Sequence, residues 1–220
     1  MATHFEEELD KVKQALLTMG SYAETAVAQA VQSVTDRNDS LAGQVQTNDD
    51  IIDRYEKEID DMAIILLAKA PLATDLRLVT VAMKISQNLE RIGDEATTIS
   101  RRSIKLNAEP RLPRPFDVPR MATLALDMLR DSLDAFVNRH ADKARAVVPR
   151  DKDVDILNRE IYRDLCSLMA ENPATITRCL HVMTISKSLE RVADHATNIA
   201  REVVYLCEAL DIRHDGNTPV

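Results

Sequence analysis

Eight carboxylates of this chain fall into four pairs with a spacing of four: Asp49 with Asp53, Glu90 with Asp94, Asp151 with Asp155, and Glu190 with Asp194. On a helix, residues four apart share a face, so each pair sets two negative charges side by side at a cost of roughly a few tenths of a kcal/mol. One such pair reads as an ordinary solvated face, balanced here by Arg91, Arg101 and Arg201. Four pairs admit a second reading. If the helices that bear them lie together two by two, four carboxylates converge in each half of the chain and offer the oxygen ligands that a hard or borderline cation takes, such as magnesium, manganese or iron. The spacing alone leaves both readings open. His195, next to Asp194, points about 100° round the helix from it and reads as a surface histidine. His4, His140, His181 and His214 fit no ligand spacing.

Carboxylate sites on long helices also serve di-iron oxidases and ferritin-like enzymes, but those need Glu-x-x-His motifs aimed into the bundle core. Glu90 is followed by Arg-Ile-Gly and Glu190 by Arg-Val-Ala, so that motif is absent from both sites. The chain also lacks a Gly-rich phosphate loop, a G-x-S-x-G elbow and any Cys/His grouping that suggests a nucleophile. The expectation is a protein that is not an enzyme; a carboxylate-bridged metal-storage protein or metal-dependent enzyme is the alternative.

The elements that must position these pairs are helices. Four glycines, no Trp and three Phe among 220 residues, with 45% hydrophobic content, favour helix over strand and suffice for a core. Phe5, Leu9, Val12, Leu16, Met19, Ala23, Ala26 and Ala30 recur at spacings of four and three and predict a helix to about Asp36, with Asn38, Asp39 or Ser40 as the next N-cap. Ile52, Tyr55, Ile59, Met62 and Leu66 carry a second helix until Pro71 disfavours helix at Ala70. A third follows on Leu78, Ala82, Ile85, Leu89, Ile92, Ala96, Ile99 and Ser103. After a proline-rich stretch come helices over Met121–Val137 and Val147–Met169, with a short turn at "NRHAD", and a sixth along Ile185, Leu189, Val192, Ala196, Ile199, Val203, Leu206 and Leu210. Gly93 inside the third helix costs about 1 kcal/mol against Ala; with small Ala193 as its counterpart, it predicts a close helix–helix approach.

The third and sixth helices repeat one another. Positions 85–106 and 185–206 agree at eleven of twenty-two places, and "DDIIDRYEKEI" at 49–59 aligns with "DKDVDILNREI" at 151–161. Such internal self-similarity signals duplication. The predicted fold is all-α: two tandem, similar three-helix bundles, at 1–110 and 120–212, joined by a proline-rich linker at 111–119 and followed by a flexible tail at 213–220. Cys166, Cys179 and Cys207 form no framework and read as core residues. The formal charge of −8, without a basic stripe, argues against nucleic acid. No apolar run is long enough for a transmembrane segment and the start of the chain is unlike a signal peptide, so a cytoplasmic protein is expected.

The "P-x-A-x-D-L-R" stretch on Pro71, Ala73, Asp75, Leu76 and Arg77, with twin L-E-R-[IV]-x-D cores at 89–94 and 189–194 in two three-helix repeats, resembles the PhoU family. The resemblance covers nearly the whole chain. It implies a negative regulator of phosphate uptake and of the phosphate-starvation response, an adaptor between the ATPase subunit of a phosphate ABC transporter and a sensor histidine kinase. It also implies metal at E(D)-x-x-x-D motifs, here Glu90, Asp94, Glu190 and Asp194, with Asp49, Asp53, Asp151 and Asp155. The ions would be divalent or trivalent, multinuclear iron among them, with zinc, manganese or magnesium as the others. A homodimer is expected from exposed small and apolar residues on long bundles. Asp75 and Arg77 are candidates for a partner contact; a helix-start acid favoured by the helix dipole beside a solvated arginine is the plainer reading. The second half carries "NPATITRCLHV" where that stretch stands, without Asp-Leu-Arg.

Overall fold

Leu9, Val12, Leu16, Met19, Ala23 and Ala30 are all buried, so the predicted stripe is the inner face of a real helix, α1, His4–Asp36. The structure, a computed structural model, describes residues 4–69 and 73–212, which leaves 70–72, the predicted tail and His214 outside the described residues. Arg37 takes a left-handed backbone with φ of 55° and turns the chain, while its guanidinium donates to the carbonyls of Asn107 and Glu109. Asn38 then caps α2, Asp39–Leu67, by accepting from the Leu41 amide at 3.0 Å. The third helix, α3, runs Ala73–Asn107 and buries every residue of its predicted stripe.

The second half repeats this plan with a broken middle. Helix α4, Val118–Asn138, starts three residues before the predicted Met121, because Pro119 is tolerated in a first turn where its missing N–H is no loss. The helix expected over Val147–Met169 starts at Asp151, and a short helix that the sequence did not suggest precedes it. Arg139 adopts φ of 48°, His140 accepts from the Lys143 amide at 3.0 Å, and a short helix α5 spans Ala141–Val147. A 3-10 turn around Pro149 then leads into α6, Asp151–Glu171. The last helix, α7, Ile176–Glu208, stops where Ala209 turns left-handed, so the predicted stripe ends at Leu206 and Leu210 is 48% exposed. Among the described residues there is no strand.

The two halves pack along α3 and α7, which run antiparallel. From one end of this seam to the other, Arg77 and Lys84 lie over the Tyr205 ring at 5.6 Å each, Lys84 pairs with buried Glu202 at 3.0 Å, His195 meets Asn88 at 2.9 Å, and Arg191 pairs with Glu95 at 3.1 Å. An approximate two-fold therefore passes near Ile92 and Val192. Helix α1 meets α4 on the opposite side, where Gly20 admits Leu133: a Cβ on Gly20 would stand 2.6 Å from a Leu133 methyl. The buried apolar residues of both halves form one continuous core. The proline-rich stretch crosses its rim, tied by Arg178 to the carbonyl of Pro110 at 3.0 Å and by Arg114 to that of Asp164 at 2.7 Å. Cys179 is buried and Cys207 half-buried, but Cys166 is exposed, because α6 lies on the flank of the bundle and 166 falls on its outer face.

Candidate metal centre in two acidic grooves

Helix α2 packs against α3, and α6 against α7. Each junction brings together the two acidic pairs it carries. Gly93 makes the first possible: a Cβ there would lie 2.9 Å from Ile52 Cδ1 and 3.3 Å from an Asp49 oxygen, so α2 approaches more closely than a side chain would allow. At the second, Ala193 is fully buried. Asp49, Asp53 and Glu90 of the first groove are half-buried, as are Asp151, Asp155 and Glu190 of the second, while Asp94 and Asp194 are the more exposed groups at the mouths, Asp194 still partly shielded from water by the helices around it. The carboxylates thus look into the clefts between helices rather than straight into solvent.

Their electrostatics record the convergence. Burial raises the Asp49 carboxyl above its ordinary range, Asp53 and Asp94 push it further up, and the Thr97 hydroxyl and Arg101 pull it back. Burial likewise raises Glu90, followed by Asp94, Glu56 and Asp53, against Arg91. In the second groove burial raises Asp151, with Asp155 and Glu190 adding to it and Arg201 opposing, and it raises Asp155, with Glu190 adding. Asp194 is pushed up to about 6, first by the water withdrawn by the surrounding helices and then by Asp151 and Glu190. Carboxylates from two helices in each half therefore act on one another across the groove. Arg91 reaches Glu90 at 3.4 Å and Asp94 at 3.5 Å but is itself largely solvated, and such pairs offset little.

Two threonines complete the symmetry. Thr97 and Thr197 are 4% and 1% exposed, and their hydroxyls make no well-formed hydrogen bond but lie near enough to Asp49 and Asp151 to favour the charged form of each. One oxygen of Asp151 is also buried without a partner. Oxygen donors in this number, with negative charge that Arg91 and Lys187 offset only in part and with unmet hydrogen-bonding capacity, fit a hard cation. As the side chains stand, among the described residues no three His, Cys, Asp or Glu are set to hold one ion, so binding would draw the carboxylates inward.

His195 is not the surface histidine expected from its direction on the helix. It is half-buried in the α3–α7 seam, bonded to Asn88, and burial lowers its pKa, with Arg91 and Arg191 acting in the same sense and Glu95 against it. Asp75 and Arg77 lie apart from both grooves: Asp75 in the first turn of α3, and Arg77 half-buried with its guanidinium over the Tyr205 ring at 5.6 Å. The sequence reading missed Glu56 and Asp60, although they too are an acidic pair four apart. Nothing in the second half repeats them, and repetition was the signal that singled out the others. Lys187, ion-paired with Glu190, went unnoticed for the same reason, since its counterpart is Gln87.

Fold and grooves together define a class: a duplicated three-helix bundle with an acidic cleft in each half. The family model for the PhoU domain matches residues 16–103 and again 118–203. A Pseudomonas aeruginosa protein named phosphate-specific transport system accessory protein PhoU homolog is 40% identical over 220 residues, covering 99% of this chain and 91% of that one. A Rhizobium meliloti protein of the same name is 35% identical over 205 residues, 92% of this chain and 86% of its own. The crystal structure of PhoU from Pseudomonas aeruginosa superposes with a TM-score of 0.91 at 39% identity, covering 94% of this chain and 100% of that one. That of the phosphate transport system regulatory protein PhoU from Streptococcus pneumoniae gives 0.89 at 26% identity, over 95% and 99%. The chain belongs to the PhoU family.

Proposed function

We propose that this protein is a negative regulator of phosphate uptake and of the phosphate-starvation response, a non-catalytic adaptor in the cytoplasm between the ATPase subunit of a phosphate transporter and a sensor histidine kinase. The names of its relatives, accessory and regulatory proteins of phosphate transport, support the first part. Among the described residues no helix is long and apolar enough to cross a membrane, in keeping with an accessory role. The observation that carries the mechanism is the pair of grooves in which carboxylates of adjacent helices face one another. Glu90, Asp94, Asp49 and Asp53 would hold cations in the first, and Glu190, Asp194, Asp151 and Asp155 in the second. Bound ions supply the positive charge that Arg91 and Lys187 provide only in part, and the neutralised faces then dock a partner. Asp75 and the exposed Leu76 beside it, on the far end of α3, are the proposed second contact; Arg77 braces that turn from behind through Tyr205. The working unit is a homodimer.

Elemental analysis of untagged protein purified without chelator tests the metal part, with the wild type beside a variant carrying Glu90→Ala, Asp94→Ala, Glu190→Ala and Asp194→Ala. The expected outcome is a few iron, manganese or zinc ions per wild-type chain, lost in the variant with helicity retained, and weaker capture of the transporter ATPase by the variant. Equal metal in both would show that the ligands are wrongly assigned, and uptake far beyond a few ions, or turnover, would favour storage or catalysis.

A further inference from the structure

The two grooves are built on one plan but are not equal, and two differences favour the first as a cation site. In the first half α2 carries a third acidic pair, Glu56 and Asp60, one turn further on from Asp53. Glu56 is half-buried and near enough to act on Glu90, and one oxygen of Asp60 is buried without a partner. In the second half the equivalents of Glu56 and Asp60 are Asn158 and Tyr162. Asn158 is turned into the core, 8% exposed, where its amide oxygen accepts from Ser186 Oγ at 2.6 Å, and it is not free to serve the groove. Tyr162 is exposed.

The second groove also contains a cation of its own. Lys187, one turn before Glu190 on α7, donates to the Glu190 carboxylate, and it acts on Asp194 and Asp155 as well. Its counterpart, Gln87, carries no charge, and the cation nearest the first groove, Arg91, stands largely solvated at the rim, 3.4 Å from Glu90 and 3.5 Å from Asp94. A metal entering the second groove must displace the ammonium group from Glu190 and then remain beside it, whereas one entering the first finds two additional carboxylates instead.

We propose that the first groove is the tighter cation site, extended by Glu56 and Asp60 to take an additional ion, and that the second is a weaker site whose occupancy Lys187 opposes. This rests on the metal reading above and divides the two halves between separate tasks: the first stays loaded, and the second fills and empties as the free cation concentration changes.

Titrating chelator-treated, full-length protein with Mn²⁺, with free ion followed by electron paramagnetic resonance, tests the assignment. Two classes of site are expected. Glu56→Gln with Asp60→Asn should lower the number of ions in the tight class and leave the weak class unchanged. Lys187→Gln should tighten the weak class about tenfold, as removal of a competing charge at contact distance predicts, and leave the tight class alone. Both changes are outside the apolar core, and circular dichroism checks that each variant is folded. A single uniform class in the wild type, or a weak class that Lys187→Gln does not move, overturns the inequality while the metal reading stands. No Mn²⁺ bound to the wild type overturns both.

Discussion

Asp194 carries a charge its surroundings resist, and this gives the free protein a pH dependence of definite sign. A carboxyl raised from 3.8 to about 6 on folding holds its proton more tightly in the native state. Its contribution to stability is therefore complete below about pH 4 and is lost as the pH climbs through about 6. Asp49, Glu90, Asp151 and Asp155 are displaced in the same direction. In chelator, Asp194→Asn should flatten the fall in melting temperature between about pH 4 and pH 6.5, measured beside the wild type; parallel curves would show that the carboxyl is not raised. Cation binding should strengthen over the same interval as protons leave the site. At this scale the sequence was informative wherever a helix period fixed the neighbour, as for Glu90 and Asp94. It was blind to His195, whose environment depends on Asn88, more than a hundred residues away.

At the scale of elements, the approach of α2 to α3 depends on one missing side chain. Gly93→Val places branched carbons where Ile52 and Asp49 already lie. The variant should lose about 1–3 kcal/mol, the usual cost of overpacking a well-filled contact, read as a lower denaturant midpoint, and should bind cations less well in the first groove only. An unchanged midpoint would mean that the α2–α3 junction has slack. Gly93 was legible because a glycine within an apolar helical stripe is costly unless something comes close. The break at Pro149 was harder to read, since a proline in a first turn and a proline that ends a helix look alike. The capping role of His140 decides between them: it starts a helix upstream of the proline, leaving Pro149 to mark a bend between α5 and α6.

At the scale of the whole molecule, the repeat in the sequence announced two halves, but not that they share a core. Helix α3 has to satisfy both α1–α2 on one side and α7 on the other, which explains why Ile85, Ser86, Leu89, Gly93, Ala96 and Thr97 are all buried along so wide an arc. Lys84 and Glu202, together with Arg191 and Glu95, fix the antiparallel register through charge, and neither pair is repeated by its image residues, so sequence symmetry gave no clue to them. A continuous core predicts one cooperative transition in scanning calorimetry, with calorimetric and van't Hoff enthalpies in agreement. Two resolved transitions would show that the halves melt separately. The crossing from α3 to α4 has one more effect. Two separate copies of a single repeat meeting along an α3–α7 seam would part on dilution, whereas halves on one chain face each other at an effective concentration set by a short tether, in the millimolar range for short flexible linkers. The seam, and the relative placement of the two grooves across it, therefore stays the same however scarce the protein becomes.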